Sequence, residues 1–123
     1  MMKFATTAAA MFAFAAVGLS AAPASAQSRD GQDRRIVVEN LSGQTIMYVR
    51  GSPTSHSSFG ADRIPNTVLA DGQSVTVDFD SGSRECQYDL RVTLTSGEHI
   101  DRMNVNVCRL THWTIGARSN TIR

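Results

Sequence analysis

Hydrophobic and polar residues alternate along most of the chain after residue 35, with the period of two that is typical of β-strands with one buried face. The clearest stretch places a set of residues on one side without exception: Cys86, Tyr88, Leu90, Val92 and Leu94. A second stretch, 74–80, alternates in the same way around Val75, Val77 and Phe79. No segment after residue 35 has a helical period of useful length, so the pattern predicts an all-β fold.

Shorter β-rich segments complete this pattern. They are 36–39, 45–49, a short edge strand at 64–70, a return strand with Met103, Val105 and Val107 at alternate positions, and a last strand at 110–115 that contains Trp113. Turn residues such as Asp71-Gly72 and Ser96-Gly97-Glu98 separate these segments. About seven short strands separated by such turns predict a small antiparallel β-sandwich or partly open barrel over residues 35–123.

Neighbouring strands in the sequence give the simplest pairing. The break between 36–39 and 45–49 is rich in turn residues, so these two strands are expected to form a hairpin. Together with 75–79 they would form one sheet, packed against the hairpin 86–107. Both faces of 46–49 are apolar. This strand is therefore expected either in the centre of a sheet or packed between the core and the long loop that follows it.

Residues 1–26 have the composition of a secretory signal peptide. Lys3 precedes an apolar, alanine-rich run over 4–19, and Ala24-Ser25-Ala26 is a small-x-small cleavage site. The apolar run is shorter than the ~20 residues that a membrane span needs. We therefore expect cleavage before Gln27, with export to the periplasm of a Gram-negative bacterium, or secretion, and no membrane span afterwards. The polar segment 27–34 is expected to be a disordered start of the mature chain.

Cys86 and Cys108 are the only cysteines. An even number in an exported chain favours a disulfide, and closing a loop of this length stabilises a small domain by about 3 kcal/mol. A metal-ligand pair or a redox couple is disfavoured, because neither cysteine has a Cys-x-x-Cys partner or a histidine in ligand spacing. Cys108 is, however, out of phase with Val105 and Val107. A β-bulge near Val107, or a bond made by Cys86 from just outside its strand, would resolve this conflict.

The charge of the chain disfavours some classes of partner. The chain has 12 basic and 11 acidic residues, and removal of the leader takes only Lys3 among them, which leaves the mature chain formally neutral. A neutral domain without a run of like charges has no net field to attract phosphates or anionic lipids. Nucleic-acid binding and electrostatic membrane attachment are therefore disfavoured.

The segment 51–63 is the most unusual part of the predicted domain. It is rich in small hydroxyl residues and contains one large aromatic residue, Phe59. A loop of this length in a compact domain is either functional or mobile. Its candidate binding residues are Ser52, His56, Phe59 and Arg63.

The histidines are expected on the surface. His56, His99 and His112 have no mutual spacing that would place two of them on one metal ion. The serines beside His56 lack a Gly-x-Ser-x-Gly elbow and a nearby orienting acid. A small hydrolase that uses His56 or His112 is therefore kept only as an alternative.

Acidic residues around 78–85 partly resemble a calcium loop. Asp78 and Asp80, with Asp62 as a further ligand, could supply several oxygen atoms to a hard cation. The third acidic position of such a loop is missing, and Arg84 adds a positive charge. A solvated acidic turn is the preferred interpretation. A calcium-binding β-sandwich domain is the first alternative function, ahead of the hydrolase.

Several motifs are specific enough to compare with a known family. They are Leu41-Ser42-Gly43-Gln44-Thr45-Ile46, a Tyr-Val and Ser-Pro segment at 48–53, the strand 72–79, and the closing pair Cys86-Gln87-Tyr88-Asp89-Leu90-Arg91 and Val105-Asn106-Val107-Cys108. Together they resemble a family of small exported proteins of Gram-negative bacteria, mostly of unassigned function. The resemblance covers about three quarters of the mature chain. It implies the β-sandwich and the disulfide, not an activity.

Two details limit what this resemblance implies. Some members of the family carry the label argininosuccinate lyase, an enzyme type that is a large helical assembly, and we expect no such activity here. Members often have an Asp and a Trp in the loop after Ser-Pro, where this chain has Ser57-Ser58-Phe59-Gly60.

The sequence as a whole contains no nucleophile, acid/base pair or ligand cluster of a familiar kind. We therefore expect a non-enzymatic binding or structural module of the cell envelope that needs no cofactor. Its expected partner is a protein or another envelope component. The expected contact surface is the loop 51–63 with the exposed strand faces.

Overall fold

A computed structural model describes residues 30–123, so the predicted leader and residues 27–29 lie outside the described residues. The described chain forms seven strands and no helix: β1 (Arg35–Leu41), β2 (Ile46–Pro53), β3 (Ser74–Asp78), β4 (Gln87–Leu94), β5 (His99–Asn106), β6 (His112–Gly116) and β7 (Asn120–Ile122). It contains no helix long and apolar enough to cross a membrane.

The strands form two sheets. One has four strands in the order β3-β1-β6-β7, and the other has three in the order β2-β4-β5. All pairs are antiparallel except β1 with β6, which is parallel. The prediction of a small, mainly antiparallel all-β sandwich with about seven strands is confirmed.

The core contains the residues that the alternating pattern placed on one side. The largest fully buried apolar side chains come from both sheets: Trp113, Tyr88, Phe79, Ile36, Ile46, Leu90 and Ile115. The two polar aromatic groups among them have partners, as buried donors require. Trp113 Nε1 donates to Asn120 Oδ1 at 2.9 Å, and the Tyr88 hydroxyl lies 2.8 Å from Ser81 Oγ.

The predicted hairpin between 36–39 and 45–49 is wrong, because β1 and β2 belong to different sheets. The buried side chain of Asn40 holds the crossing between the sheets. Its Nδ2 donates to the carbonyls of Gln44 and Leu69 at 2.7 and 2.9 Å, and its Oδ1 accepts the backbone N–H of Ser42 at 3.0 Å. One amide side chain thus satisfies three backbone groups where the chain passes from one sheet to the other.

Two other strand predictions need correction. The edge strand predicted at 64–70 is reduced to one bridge, in which Leu69 pairs with Ile46. The strand predicted at 110–115 is β6, and it is not the last, because β7 follows and pairs Ile122 with Trp113. β7 has only three residues, too short to show a period of two in the sequence.

The register conflict around the cysteines has a structural solution. Cys86 and Cys108 form a disulfide with Cα atoms 5.4 Å apart, and Cys86 lies just before β4, as one of the two predicted solutions required. The bulge is not at Val107 but between Arg102 and Val105, where β5 has one more residue than β4. Asn104 has a φ of 55° at this point, which asparagine tolerates better than most residues.

The bulge also overturns the prediction that Met103 faces the core. The extra residue changes the phase of β5, so Val107 is buried and Val105 packs against the core, whereas Met103 is 58% exposed. The sequence pattern did not show the bulge, because Met103, Val105 and Val107 keep the spacing of a regular strand.

Candidate functional site

The long loop between β2 and β3 begins by folding over the outer face of the sheet β2-β4-β5. The Ser52 hydroxyl at the end of β2 donates to the carbonyl of Ser58, and Ser52 is buried beneath the loop. Further along, the guanidinium carbon of Arg91 on β4 lies 4.2 Å from the ring centroid of Phe59. The loop is thus packed on the sheet through the cation–π contact of its one large aromatic residue.

The return of the loop covers the open edge of β2. Asp62 Oδ1 accepts the backbone N–H groups of Val49 and Ile64 at 3.0 and 3.1 Å, and the N–H of Arg63 donates to the Val49 carbonyl at 2.6 Å. These bonds satisfy backbone groups that an edge strand would otherwise expose. β2 is therefore an edge strand and not the central strand that was one expectation. The loop covers the edge of β2, whereas Tyr48 on its outer face is 41% exposed, so the other expectation, that this face packs against the loop, is not met at Tyr48.

Arg63 fastens the end of the loop to the domain. Its guanidinium donates to the carbonyls of Gly51 and Asp80 at 2.8 and 3.1 Å and lies over the ring of Phe79, 5.8 Å from its centroid. Gly51 has no room for a side chain, because a Cβ there would meet Phe79 at 2.6 Å. Arg63, predicted as a binding residue, therefore holds the end of this loop on the domain.

The tip of the loop borders a shallow cleft of about 90 Å³ next to the β5 bulge. Its walls are formed by His56, Ser57, Ser58, Phe59, Asp89 and Met103. Asp89 accepts the backbone N–H of Asn104 at 2.8 Å, which fixes the bulge and with it the exposed position of Met103. The structure therefore brings two of the predicted binding residues, His56 and Phe59, together with Met103, which the sequence analysis had placed in the core.

The outer sheet face beside this cleft is mixed in character. Tyr48 is 41% exposed, and Arg50 lies over its ring at 4.6 Å from the centroid. Arg91 makes two hydrogen bonds to the carboxylate of Asp101, at 2.8 and 2.9 Å, and these bonds raise the pKa of the Arg91 guanidinium. We refer to residues 54–60 with the outer surface of β2, β4 and β5 as the loop face.

The predicted calcium ligands do not form one site. Asp78 Oδ1 accepts the N–H of Asp80, Asp80 Oδ1 accepts the N–H of Gly82, and Asp62 is engaged at the β2 edge. Among residues 30–123 no group of three or more His, Cys, Asp or Glu side chains is placed to hold a metal ion. Asp80 Oδ2 also lies 3.8 Å from Nη1 of Arg34, a cation that competes with a metal for this carboxylate.

The histidines lie in three separate places. His56 is on the loop, His99 Nδ1 lies 3.0 Å from Thr93 Oγ1, and His112 Nδ1 lies 3.0 Å from Thr111 Oγ1. The neighbouring Ser55 directs its hydroxyl to the carboxylate of Glu85 and not to an imidazole. The described residues therefore present no serine and histidine in the relation that a hydrolase uses.

A buried arginine at the start of the domain is a feature that the sequence analysis missed. Arg34, in the segment predicted to be disordered, has a fully buried side chain. Its Nη2 donates to Asp30 Oδ2 at 2.6 Å, its Nε donates to the Glu85 carbonyl at 2.9 Å, and Nη2 lies 3.9 Å from Sγ of Cys86. The segment 30–34 is thus connected to the disulfide.

The electrostatics of this cluster follow from its geometry. The hydrogen bonds from the Arg34 guanidinium hold the pKa of the Asp30 carboxyl well below its usual range, and the N–H of Gln32 adds to this effect. In return, the Asp30 carboxylate raises the pKa of Arg34. A polar cleft of about 360 Å³ lies beside the cluster, between residues 31–35, Asp78 and Asp80. No sequence signal marked Arg34, because its partners beyond Asp30 are distant in the chain.

Comparisons of the chain with protein-family models, with curated proteins and with solved structures found no match.

Proposed function

We propose that this protein is an exported module of the bacterial cell envelope that binds a partner protein through the loop face. The observation that carries the proposal is the tip of the loop, where His56 and Phe59 lie beside the exposed Met103. Aromatic, methionine and arginine side chains are enriched in the centres of protein interfaces. The loop face presents all three types, with Phe59, Met103 and the pair Arg50 and Tyr48 on one surface.

The contacts that hold the loop support binding, because a preformed surface loses little conformational entropy when a partner docks. The return of the loop is held by the bonds of Asp62 and Arg63 to Val49 and Gly51, and its start is held by the N–H of Thr54, which donates to the Gln87 carbonyl at 3.0 Å. Between these points, residues 54–58 are exposed. This division leaves the tip available to a partner while its position is fixed by the fold.

Export to the periplasm is part of the same proposal. The Cys86–Cys108 disulfide fits an oxidising compartment, in which such bonds form and persist. The composition of residues 1–26 supports export, and the resemblance to small exported Gram-negative proteins is consistent with it. Intact-mass measurement of protein from the envelope fraction tests this step. We expect a chain that begins at Gln27 and takes up alkyl groups only after reduction, and a retained leader or free thiols would contradict it.

Site-specific photo-crosslinking in living cells tests the binding surface. A photoreactive amino acid at Ser57 or Met103 should capture the same partner, whereas the probe at the exposed Thr121 on β7 serves as the control. A Met103→Glu exchange should abolish capture from Ser57 without changing the melting temperature, because Met103 is exposed. Equal capture from Thr121, or capture from Ser57 that survives Met103→Glu, would contradict the proposed surface.

A further inference from the structure

The four edge strands of the sandwich differ in how they are protected. β2 is covered by Leu69, Asp62 and Arg63, and β7 is only three residues long. β5 is interrupted by the bulge at Asn104. Proteins commonly protect sheet edges by such covers, short strands and bulges. β3 has none of these devices within residues 30–123, because its five residues pair with β1 in unbroken register and no strand lies beyond it.

The hydrogen-bonding pattern identifies the free groups on β3. Phe79 N–H donates to the Arg34 carbonyl, and Asn40 N–H donates to the Gln73 carbonyl, so odd-numbered residues face β1 along this antiparallel pair. The backbone N–H and C=O groups of Ser74, Thr76 and Asp78 consequently point away from β1, toward the open edge.

A groove of about 320 Å³ borders the start of this edge. Its lining is mixed, because Ile64, Val68, Leu69 and Val75 are apolar whereas Thr67, Gln73 and Ser74 are polar. The groove contains no charged side chain, and Val68 is 45% exposed. A strand added to β3 would therefore gain backbone hydrogen bonds at the edge and cover part of this apolar surface.

We propose that the occupant of this edge is a second copy of the chain, with the two β3 strands antiparallel about a two-fold axis at Thr76. In this register Thr76 faces Thr76 of the partner copy, and Ser74 faces Asp78. The three outward-pointing residues then form matched hydrogen-bonded pairs, which is the self-complementary arrangement of an isologous dimer. The two four-stranded sheets become one continuous sheet across the dimer.

The charges of the strand fit a second copy. Asp78 is the one charged residue on β3, and the two-fold register places it opposite the hydroxyl of Ser74 and not opposite its own copy. Opposite like charges on paired strands are destabilising, and this register avoids them. Without Lys3 the chain has 11 basic and 11 acidic residues and is formally neutral, so two copies approach without net repulsion.

Sedimentation velocity over a concentration series from about 1 µM to about 1 mM tests the proposal, since this is the range in which small interfaces dissociate. The test variant is Thr76→Asp, which places two carboxylates opposite each other at the two-fold axis. The matched control is Thr121→Asp on the edge strand β7 of the same sheet, where the exposed threonine carries the same exchange. We expect wild type and control to dimerise alike and Thr76→Asp to raise the dissociation constant roughly fivefold or more.

Hydrogen exchange of the wild-type protein provides a second readout that needs no variant. The Thr76 amide should become protected as the concentration rises through the dimer range, while the amide of Asp101 on the β5 edge should not. A chain that remains monomeric throughout the series would overturn the proposal. So would a dimer that is insensitive to Thr76→Asp, or protection that appears at β5 or β7 in place of β3.

Discussion

Two polar, irregular segments of this chain are held in place by different means. The segment 30–34 is fastened by the Arg34 guanidinium, whose side chain is 0% exposed and which contacts Asp30 and the peptide next to the disulfide. The loop tip at 54–60 is fastened by contacts on the surface, such as the ring of Phe59 over Arg91, whose side chain is 28% exposed. Composition alone would predict the same behaviour for both segments.

From this difference we expect burial, and not the number of polar contacts, to set how much each segment contributes to the free energy of unfolding. A buried charge that loses its partner retains the full cost of its desolvation, whereas an exposed contact is replaced by water. The N-terminal segment should therefore behave as part of the folding unit, and the loop tip as a locally stable element that can be loosened independently.

The largest loss of stability is expected from Arg34→Met. The exchange keeps a long, apolar stem but removes the cation that faces the Asp30 and Asp80 carboxylates. Breaking a buried ion pair by removing one partner costs on the order of 3–5 kcal/mol. We expect a loss of this order in the free energy of unfolding, measured by urea denaturation. Arg35→Met is the matched control, because Arg35 and Asp33 form an ion pair that is about 60% exposed, and it should change stability little.

A slightly smaller effect is expected when the disulfide is removed by replacing both cysteines with serine. The bond joins residues 22 positions apart, and opening a loop of this size costs about 3 kcal/mol through the entropy of the unfolded chain. The cost should couple to Arg34, whose Nη2 lies 3.9 Å from Sγ of Cys86. A double-mutant cycle with Arg34→Met should give non-additive losses of stability. Strict additivity would show that Arg34 and the disulfide stabilise the domain independently.

The features that depend on local periodicity could be predicted from the sequence, whereas those that depend on residues distant in the chain could not. The buried face of β4 and the existence of the disulfide follow from alternation and cysteine count, and both are present. The pairing of β1 with β6 and the burial of Arg34 depend on contacts with residues many positions away. A period of two specifies which side of a strand is buried, but it carries no information about which strand lies beside it.

The loop face shows the same limit for the candidate site. His56 and Phe59 stand out in a polar loop, and the structure places them at the cleft. The spacing of Met103 matches that of Val105 and Val107 and therefore predicts a core position. One additional residue in β5 turns Met103 to the surface, and the hydrogen bond from the Asn104 N–H to Asp89 fixes this bulge.

A pH-dependent loss of stability should separate the buried ion pair of Asp30 and Arg34 from the exposed pair of Asp33 and Arg35. The folded-state pKa of Asp30 is lowered by Arg34, so its stabilising contribution is complete above the unfolded-state pKa of about 3.9 and is lost as the pH falls below that value. We expect the melting temperature to drop between about pH 5 and pH 2, and Asp30→Asn to reduce this drop while lowering stability at pH 7. Asp33→Asn is the control, because the pKa of Asp33 is also lowered but its ion pair with Arg35 is exposed. An equal effect of both exchanges would contradict the distinction between buried and exposed pairs.

The smallest global effect is expected from Phe59→Ala in the loop tip. The ring contributes a cation–π contact to a partly exposed arginine, worth about 0.5–1 kcal/mol, so the melting temperature should hardly change. Hydrogen exchange should nevertheless accelerate at residues 54–60, because the ring is the one large aromatic group that packs this tip on the sheet, and the bonds of Ser58 to Ser52 and of Ser55 to Glu85 hold only single points of it. Phe59→Leu should preserve part of the packing without the π face and give an intermediate rate. A large fall in global stability from Phe59→Ala would place the loop tip in the same cooperative unit as Arg34. In that case the loop tip could not open without opening the sandwich itself.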